Sequence, residues 1–478
     1  MANRWWAVAL WGVVAAGVYV GVTAARPHAG SWNDGGRLAA AESLVDRGTL
    51  AIDDSIFVKV PPEEPGKARP YHAGNTILLA GGTMDKMFIA GHFYSHHPPL
   101  PLVGAAGVYK VWRLLGGPSA ADRPDVYIRM MTIATAGVPY AIALVLVAVL
   151  VGPVLQLPGP AAVVLTAGFA FATVAPGYAR HVSSHVVLMA VAAGVCVLVA
   201  VAEDRGSLGR RAAAGIGALA GVGYTLDGVV GPALVLAAAG YVGWRGPWVN
   251  LVVAGIAALP WAVAHHAVNY AVAGVFGPAA AVPEYFNYPG SVFTPESLTG
   301  SGLKHTPLGQ VNYLFGLFLG PRGFLTNNLP LLLVPAAAVL VWRAGRADRP
   351  ALLFAGGFAL LSVGPYALYS NNLSGFCLSI RWFVPLLVPG VWAVGLFLRT
   401  RPAAVRPLVW LTVCGLVLGR QMYRVGVWTY DVVPLQFEMS TLALAGWGLM
   451  ETLARPAAAL RAVPAGPPAV TTRSTSAA

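Results

Sequence analysis

Asp34 and Arg37 stand one helical turn apart in the stretch Asn33-Asp34-Gly35-Gly36-Arg37. A carboxylate can take a proton from a hydroxyl, and a guanidinium grips an oxyanion through two parallel N–H bonds. Each residue also has a plainer reading. Asp34 can cap the short helix that follows it, and Arg37 can pair with Asp34 or Glu42. His97 precedes Pro98-Pro99. A residue before proline is held extended, so its imidazole sits on a stiff segment. Lys86, Arg180, Arg322 and Arg381 are further cations beside apolar runs. Such cations commonly snorkel to lipid headgroups, and one or two of these four are expected at a bound anion. Asp53-Asp54 reads as a solvated turn, because adjacent side chains on an extended chain point to opposite faces.

The elements that must position these residues are membrane spans. Hydrophobic residues make up 57% of the 478 residues and charged residues only 10%. A soluble chain of this length is about one quarter charged, so this one reads as an all-α polytopic membrane protein. Of its 19 acids, 10 fall between Asp34 and Asp125. Charge concentrated in one polar stretch marks that stretch as the working surface. The net charge of +12 is spread over loops that flank spans, without basic runs interleaved with aromatics, so nucleic acid is not expected as a partner. Cys196, Cys377 and Cys414 have no metal-ligand spacing, and no metal site is expected from the motifs. The excess of Arg over Lys and the abundance of Ala and Gly suggest a bacterial source.

Trp5 to Thr23 is long enough to span. Ala24-Ala25 leaves a signal-peptide reading open, but the run reads better as an uncleaved first helix with a cytoplasmic N-terminus. Further spans are expected near 128–151, 159–176, 184–202, 212–225, 228–244, 248–268, 328–342, 351–369, 382–398, 407–419 and 437–454. That makes about twelve helices. Their alternate exits carry Arg205, Arg210 and Arg211, then Arg245, then Arg343, Arg346 and Arg349, then Arg399, Arg401 and Arg406, as the positive-inside rule requires of cytoplasmic loops. The apolar stretch 100–116 is interrupted by Lys110 and Arg113. Counting it as a span would invert every later loop, so it reads as an amphipathic helix on the membrane surface. The chain then divides into a first span (1–24), an extracytoplasmic loop with surface helices (25–127), a block of spans (128–268), a second large outer loop (269–327), C-terminal spans (328–454) and a disordered cytoplasmic tail (455–478).

Within the first outer loop, Leu38, Ala41, Leu44 and Val45 fall on one helical face, and Gly48 is a natural stop. Asp34 is expected at the N-cap of that helix. Asp227 lies between two short apolar runs, where an intramembrane acid suggests function and a broken helix pair suggests a cap. His265-His266 reads first as core hydrogen bonding near the outer end of a span.

Four segments together resemble the GT-C superfamily of membrane glycosyltransferases. Asp34-Gly-Gly-Arg37, followed by a short helix and Gly48, is similar to the family's acidic motif after the first span. His92-Phe-Tyr-Ser-His-His97-Pro98-Pro99-Leu100 resembles the His-Pro-Pro-Leu of protein O-mannosyltransferases and the Lys-Pro-Pro-Leu of aminoarabinose transferases. Tyr178-Ala-Arg180-His-Val-Ser-Ser-His185 occupies the second outer loop, where family members often carry an Arg and an Asp. Gly375-Phe-Cys-Leu-Ser-Ile-Arg381-Trp-Phe-Val-Pro385 is like the Gly-x-Arg-x-x-x-Pro element of bacterial members. Two departures stand out: Gly35 where a Glu often follows the Asp, and His185 where an Asp is common.

The resemblance implies transfer of a sugar, with inversion, from a polyprenyl-phosphate carrier to a glycan, lipid or protein at the outer face of a bacterial inner membrane. It implies Asp34 as the base. It implies phosphate or substrate contacts from a set comprising Arg37, Lys86, His97, Arg180, His185, Arg322 and Arg381. A divalent metal is compatible with the family but unsupported by any motif here. Two alternatives stay open: a transporter or flippase with Asp227 and His266 along its path, and a non-catalytic member that only binds the lipid carrier.

Overall fold

The computed structural model describes residues 2–60, 81–293, 306–344, 348–370, 372–375 and 377–428, with residues 443, 446 and 447. Among these, eight helices are long and apolar enough to cross a membrane. The protein is an all-α polytopic membrane protein carrying one small hairpin outside the bundle. The first span, α1 (Ala2–Thr23), leads directly into α2 (Trp32–Asp46). A two-stranded antiparallel hairpin follows, β1 (Lys86–Ile89) and β2 (His92–Ser95), with Lys86 opposite Ser95. Then come α3 (Pro99–Leu114) and the long span α4 (Pro124–Val154), whose π-type turns fall at Ile133–Gly137 and Leu150–Val154. The next elements are α5 (Gly159–Phe171), α6 (Ser184–Asp204), α7 (Arg210–Leu226), α8 (Val230–Arg245) and α9 (Trp248–Ala273). Further spans are Arg349–Tyr369, Arg381–Thr400 and Pro402–Arg420.

Hydropathy located these spans well, because a helix is the one local fold that satisfies its own backbone in lipid. Three expected spans are short: α7, α8 and the apolar helix Leu329–Arg343. The segment 437–454 lies largely, and the tail 455–478 wholly, outside the described residues. Close helix packing uses glycine. A side chain on Gly217 would collide with the Ala254 backbone, and one on Gly221 would lie 2.9 Å from Ala258 Cα. Small residues four apart let α7 and α9 pack backbone to backbone.

Two apolar cores are relevant here. One fills the bundle; the other joins α2, α3 and the start of α4 through Leu38, Ala41, Leu102, Ala106, Tyr109, Tyr127 and Ile128. Residues Asp34 through Ser43 of α2 are all buried, so this helix is enclosed rather than one-faced. Its carboxylate Glu42 is bonded by Ser55 and pairs with Arg47 at 3.2 Å. Helix α3 turns Leu102, Ala106 and Tyr109 inward and leaves Val111, Leu114 and Leu115 exposed. That is the pattern of a helix resting at a lipid boundary. The β-hairpin was not expected. Its second strand is anchored by Asp53, whose Oδ1 accepts from Phe93 N at 2.9 Å while Oδ2 lies 3.2 Å from His92 Nδ1. Asp53 is therefore a structural tie, and Asp54 pairs with Lys59.

Candidate active site

The first turn of α2 differs from expectation in one respect. Ser31, not Asp34, is the N-cap: its extended backbone starts the helix and its Oγ accepts from Asp34 N at 3.2 Å. A serine cap with an acid three residues on is the sequence pattern of a capping box, but here the carboxylate returns to Gly30 N rather than to the N–H of the cap residue itself. Relieved of the cap, Asp34 turns inward. Its Oδ2 accepts from Gly30 N at 3.0 Å and lies 3.3 Å from His181 Nδ1. Its Oδ1 is buried without a hydrogen-bond partner among the described residues. Gly36 lets this turn approach the hairpin, since a side chain there would lie 2.9 Å from Asp85 O.

Arg37 has no ion pair among the described residues. Its guanidinium bonds Asn33 O at 3.0 Å, Asn33 Oδ1, and Ser184 Oγ at 3.0 Å. Burial, then the charge of Arg381, lowers its pKa to about 10, against the pull of Asp34, Asp85 and Asp227. It stays cationic at neutral pH. His97 Nε2 lies 3.2 Å from the same Asn33 carbonyl. A carbonyl only accepts, so Nε2 carries the proton and Nδ1 keeps a lone pair. Burial drives the His97 pKa well below 6.5, helped by Arg37, His96 and Arg381. His97 is thus a neutral ring with an acceptor nitrogen, rather than a donor to phosphate.

Arg381 opens the turn Arg381–Leu386, and its backbone N donates to Ser374 Oγ at 2.8 Å. Its guanidinium stands over the Trp428 ring, 5.5 Å from the centroid, and its Nε is buried without a partner among the described residues. The other face of the connection is His181, whose ring meets Trp428 edge-on at 5.8 Å. Asp34, His181, Trp428 and Arg381 therefore form a contiguous set drawn from four separate segments.

His185 lies 3.6 Å from Asp227 Oδ2. Asp227 also caps α8, its Oδ1 accepting from Val229 N and Val230 N at 2.9 and 2.7 Å. The remaining expected cations serve structure. Arg180 bonds Ala24 O and Tyr423 O and stacks on the Tyr423 ring. Arg322 binds the carbonyls of Leu373, Gly375 and Cys377. Lys86 stands over Phe93 on the outer hairpin, 4.4 Å from the ring centroid. His266 is held by Tyr224 OH and the Phe276 carbonyl, and His265 Nε2 lies 3.0 Å from Asn269 Nδ2. The hydrogen bonding expected of this pair is what the structure contains.

Sequence spacing also missed a set of potential metal donors. Asp85, His96 and His97 offer ligand atoms within 4.8 Å of one another. The free Nδ1 of His97 suits such a role, and the two rings lie 4.1 Å apart with their planes tilted by 43°. Pro98-Pro99 bring the adjacent histidines together, and the partner acid comes from ahead of the hairpin, so no sequence spacing announces the group.

An apolar cavity of about 450 Å³ opens beside these residues. Its walls come from α3, α4, α6, α7 and α9, including Leu100, Val103, Val108, Met131, Val187 and Trp261, and its polar end holds Arg37, His97 and Ser184. A long greasy slot ending in a buried guanidinium fits an amphiphile with an anionic head.

Comparison with solved structures places this arrangement. ArnT from Cupriavidus metallidurans bound to undecaprenyl phosphate superposes over 96% of this chain and 79% of its own, with a TM-score of 0.50 at 14% identity. The chain shares the membrane-protein fold of this ArnT. The apo state of the same ArnT gives a TM-score of 0.48 at 15% identity, covering 93% of this chain and 76% of that one. No protein-family model matches the sequence, and no curated protein does.

Proposed function

We propose that this protein is a glycosyltransferase that moves a sugar from a polyprenyl-phosphate carrier to a hydroxyl of a glycan, lipid or protein. The observation that carries the reading is the 450 Å³ apolar cavity with buried Arg37 at its polar end. The solved ArnT with this fold holds undecaprenyl phosphate, a ligand of the same shape and charge. In the proposed reaction the acceptor oxygen attacks the anomeric carbon. The acceptor proton passes to Asp34 Oδ1, the new C–O bond forms, and the bond from the anomeric carbon to the phosphate oxygen breaks. The electron pair leaves with the polyprenyl phosphate, whose charge is met by Arg37 and Arg381. His181 and Gly30 hold the other carboxylate oxygen.

The acid-rich segment and this site face the exterior of a bacterial inner membrane in our reading, with the Arg-bearing exits inside. Binding tests it directly. Undecaprenyl phosphate should bind the purified protein in lipid nanodiscs, and Arg37→Gln should weaken that binding about tenfold or more, the loss expected of a charge-assisted hydrogen bond. No binding by the unmodified protein would overturn the reading.

A further inference from the structure

The C-terminal spans enclose another apolar space, which shares no lining residue with the cavity at Arg37. Its volume is about 580 Å³, and it lies between the helix Leu329–Arg343 and the spans Arg349–Tyr369 and Arg381–Thr400. The sequence explains the gap. Where these helices face one another they carry Ala338, Ala355, Gly356, Ala359, Gly390 and Ala393, side chains too small to fill it. A Cβ on Gly356 would meet nothing within 4 Å. No titratable side chain lines the slot. Trp342, Leu353 and Leu360 are on its wall and are 44%, 47% and 72% exposed, so the slot opens toward the bilayer.

The slot has a direction. From Leu331 to Trp342 its wall is about 16 Å long, at about 1.5 Å per helical residue. The hydrocarbon core of a bilayer is about 30 Å thick, so this is the depth of one leaflet. The Trp342 end is charged. The Arg349 guanidinium lies 5.0 Å from the centroid of the Trp342 ring, and its Nε donates to Trp342 O at 3.3 Å. Arg343 follows Trp342 and is exposed. Neither arginine has an ion pair among the described residues, and the acid beside them, Asp348, is already bound by Arg399. An apolar slot one leaflet deep, with two unneutralised cations at its mouth, matches an amphiphile with a chain and a negative headgroup. A zwitterionic headgroup brings its own cation and gains less there.

We infer that this slot binds one anionic glycerophospholipid, with an acyl chain between the three helices and the phosphate at Arg349 and Arg343. The site is separate from the carrier cavity, which other helices wall, and it does not depend on the transfer reaction.

The test uses purified protein stripped of lipid in detergent. Phosphatidylglycerol or phosphatidylcholine is added, and retained lipid is counted by native mass spectrometry. The unmodified protein should hold one phosphatidylglycerol about tenfold more tightly than phosphatidylcholine, the advantage expected of two interfacial cations. Gly356→Phe, whose ring enters the open slot, should lose this tight adduct. Arg349→Gln should keep a bound lipid and lose most of the preference. Absence of a tight adduct, equal binding of the two lipids, retention in Gly356→Phe, or full preference in Arg349→Gln each overturns the inference. If Gly356→Phe does not yield a folded, monodisperse protein, Ala338→Leu plugs the slot from the facing helix, and retention there overturns the inference equally. Added undecaprenyl phosphate should leave the phosphatidylglycerol in place. Its displacement by an equimolar amount would give the slot to the polyprenyl tail and overturn the inference as well.

Discussion

Asp34 and His181 meet across 147 residues of chain, with Oδ2 lying 3.3 Å from Nδ1. The contact engages Oδ2 and leaves Oδ1 buried without a hydrogen-bond partner among the described residues.

Asp34→Asn tests the proposed role of Asp34 as base. Ser31 carries the cap, and asparagine keeps an acceptor for Gly30 N, so the variant should fold and insert normally. Loss of a general base typically costs about 10²–10⁴-fold in rate. Transfer from a labelled polyprenyl-phosphate sugar into native membrane acceptors should fall by that range. Near-normal turnover would remove Asp34 from the reaction.

His181 is a positioning residue, and its conservative and disruptive variants should differ. Asparagine places an N–H close to where Nδ1 stands and should retain most activity. Phenylalanine keeps the ring against Trp428 but leaves Asp34 Oδ2 one donor short. A hydrogen bond to a charged group contributes about 1.5–3 kcal/mol, so a loss of about 10–150-fold in kcat is expected, with KM for the carrier little changed. Equal activity of the two variants would argue against the role.

The cations should separate into two groups. Arg37→Gln should weaken carrier binding and leave thermal stability close to that of the unmodified protein. Arg322→Gln should do the reverse, because three carbonyls of the 373–377 loop lose their donor. Paired measurements of carrier affinity and unfolding temperature distinguish them. Weak binding in stable Arg322→Gln would show that its role was misassigned.

Acid should destabilise the outer layer. Burial lowers the pKa values of His96, His97 and His181 below the ordinary 6.5. Between the folded and unfolded values the unfolded chain binds more protons, so stability rises with pH there. The contribution is complete above about 6.5 and is lost as pH falls through the folded values. The unfolding temperature in nanodiscs should drop between about pH 7 and pH 5, and His97→Gln should make the slope shallower. A flat profile would contradict this account.

Topology has its own check. The three native cysteines are buried, so background labelling is low. Ala121, after α3, is exposed and tolerates cysteine, whereas Gly116 has a φ of +83°. Ala121→Cys should react with an impermeant thiol reagent in intact spheroplasts. Reaction only after lysis would invert the proposed orientation.

The spans and the helix α3 were legible because each is a local pattern of apolar residues. Asp34, Arg37 and His97 were legible as residue types on stiff or helical segments. The rest depended on contacts that no local pattern encodes. Arg180 and Arg322 look like any cation at a span end, and only the distant carbonyls they bind make them structural. His181 stood inside a segment already singled out, yet its partner lies in another loop. The cap on α2 could have been found, since Ser31 precedes Asp34 by the three residues of a capping box. The hairpin was hidden because its strands are only four residues each and the second also bridges to Ala51, far off in sequence.

Arg180 also sets an order of events. It joins the Ala24 carbonyl, 156 residues before it, to the carbonyl of Tyr423, 243 residues after it, near the end of helix Val405–Val425. Trp428, which backs both His181 and Arg381, comes later still. A growing chain emerges N-terminus first, so Asp34 is made long before its surroundings exist. The carboxylate's setting is therefore complete only when the last described span has docked.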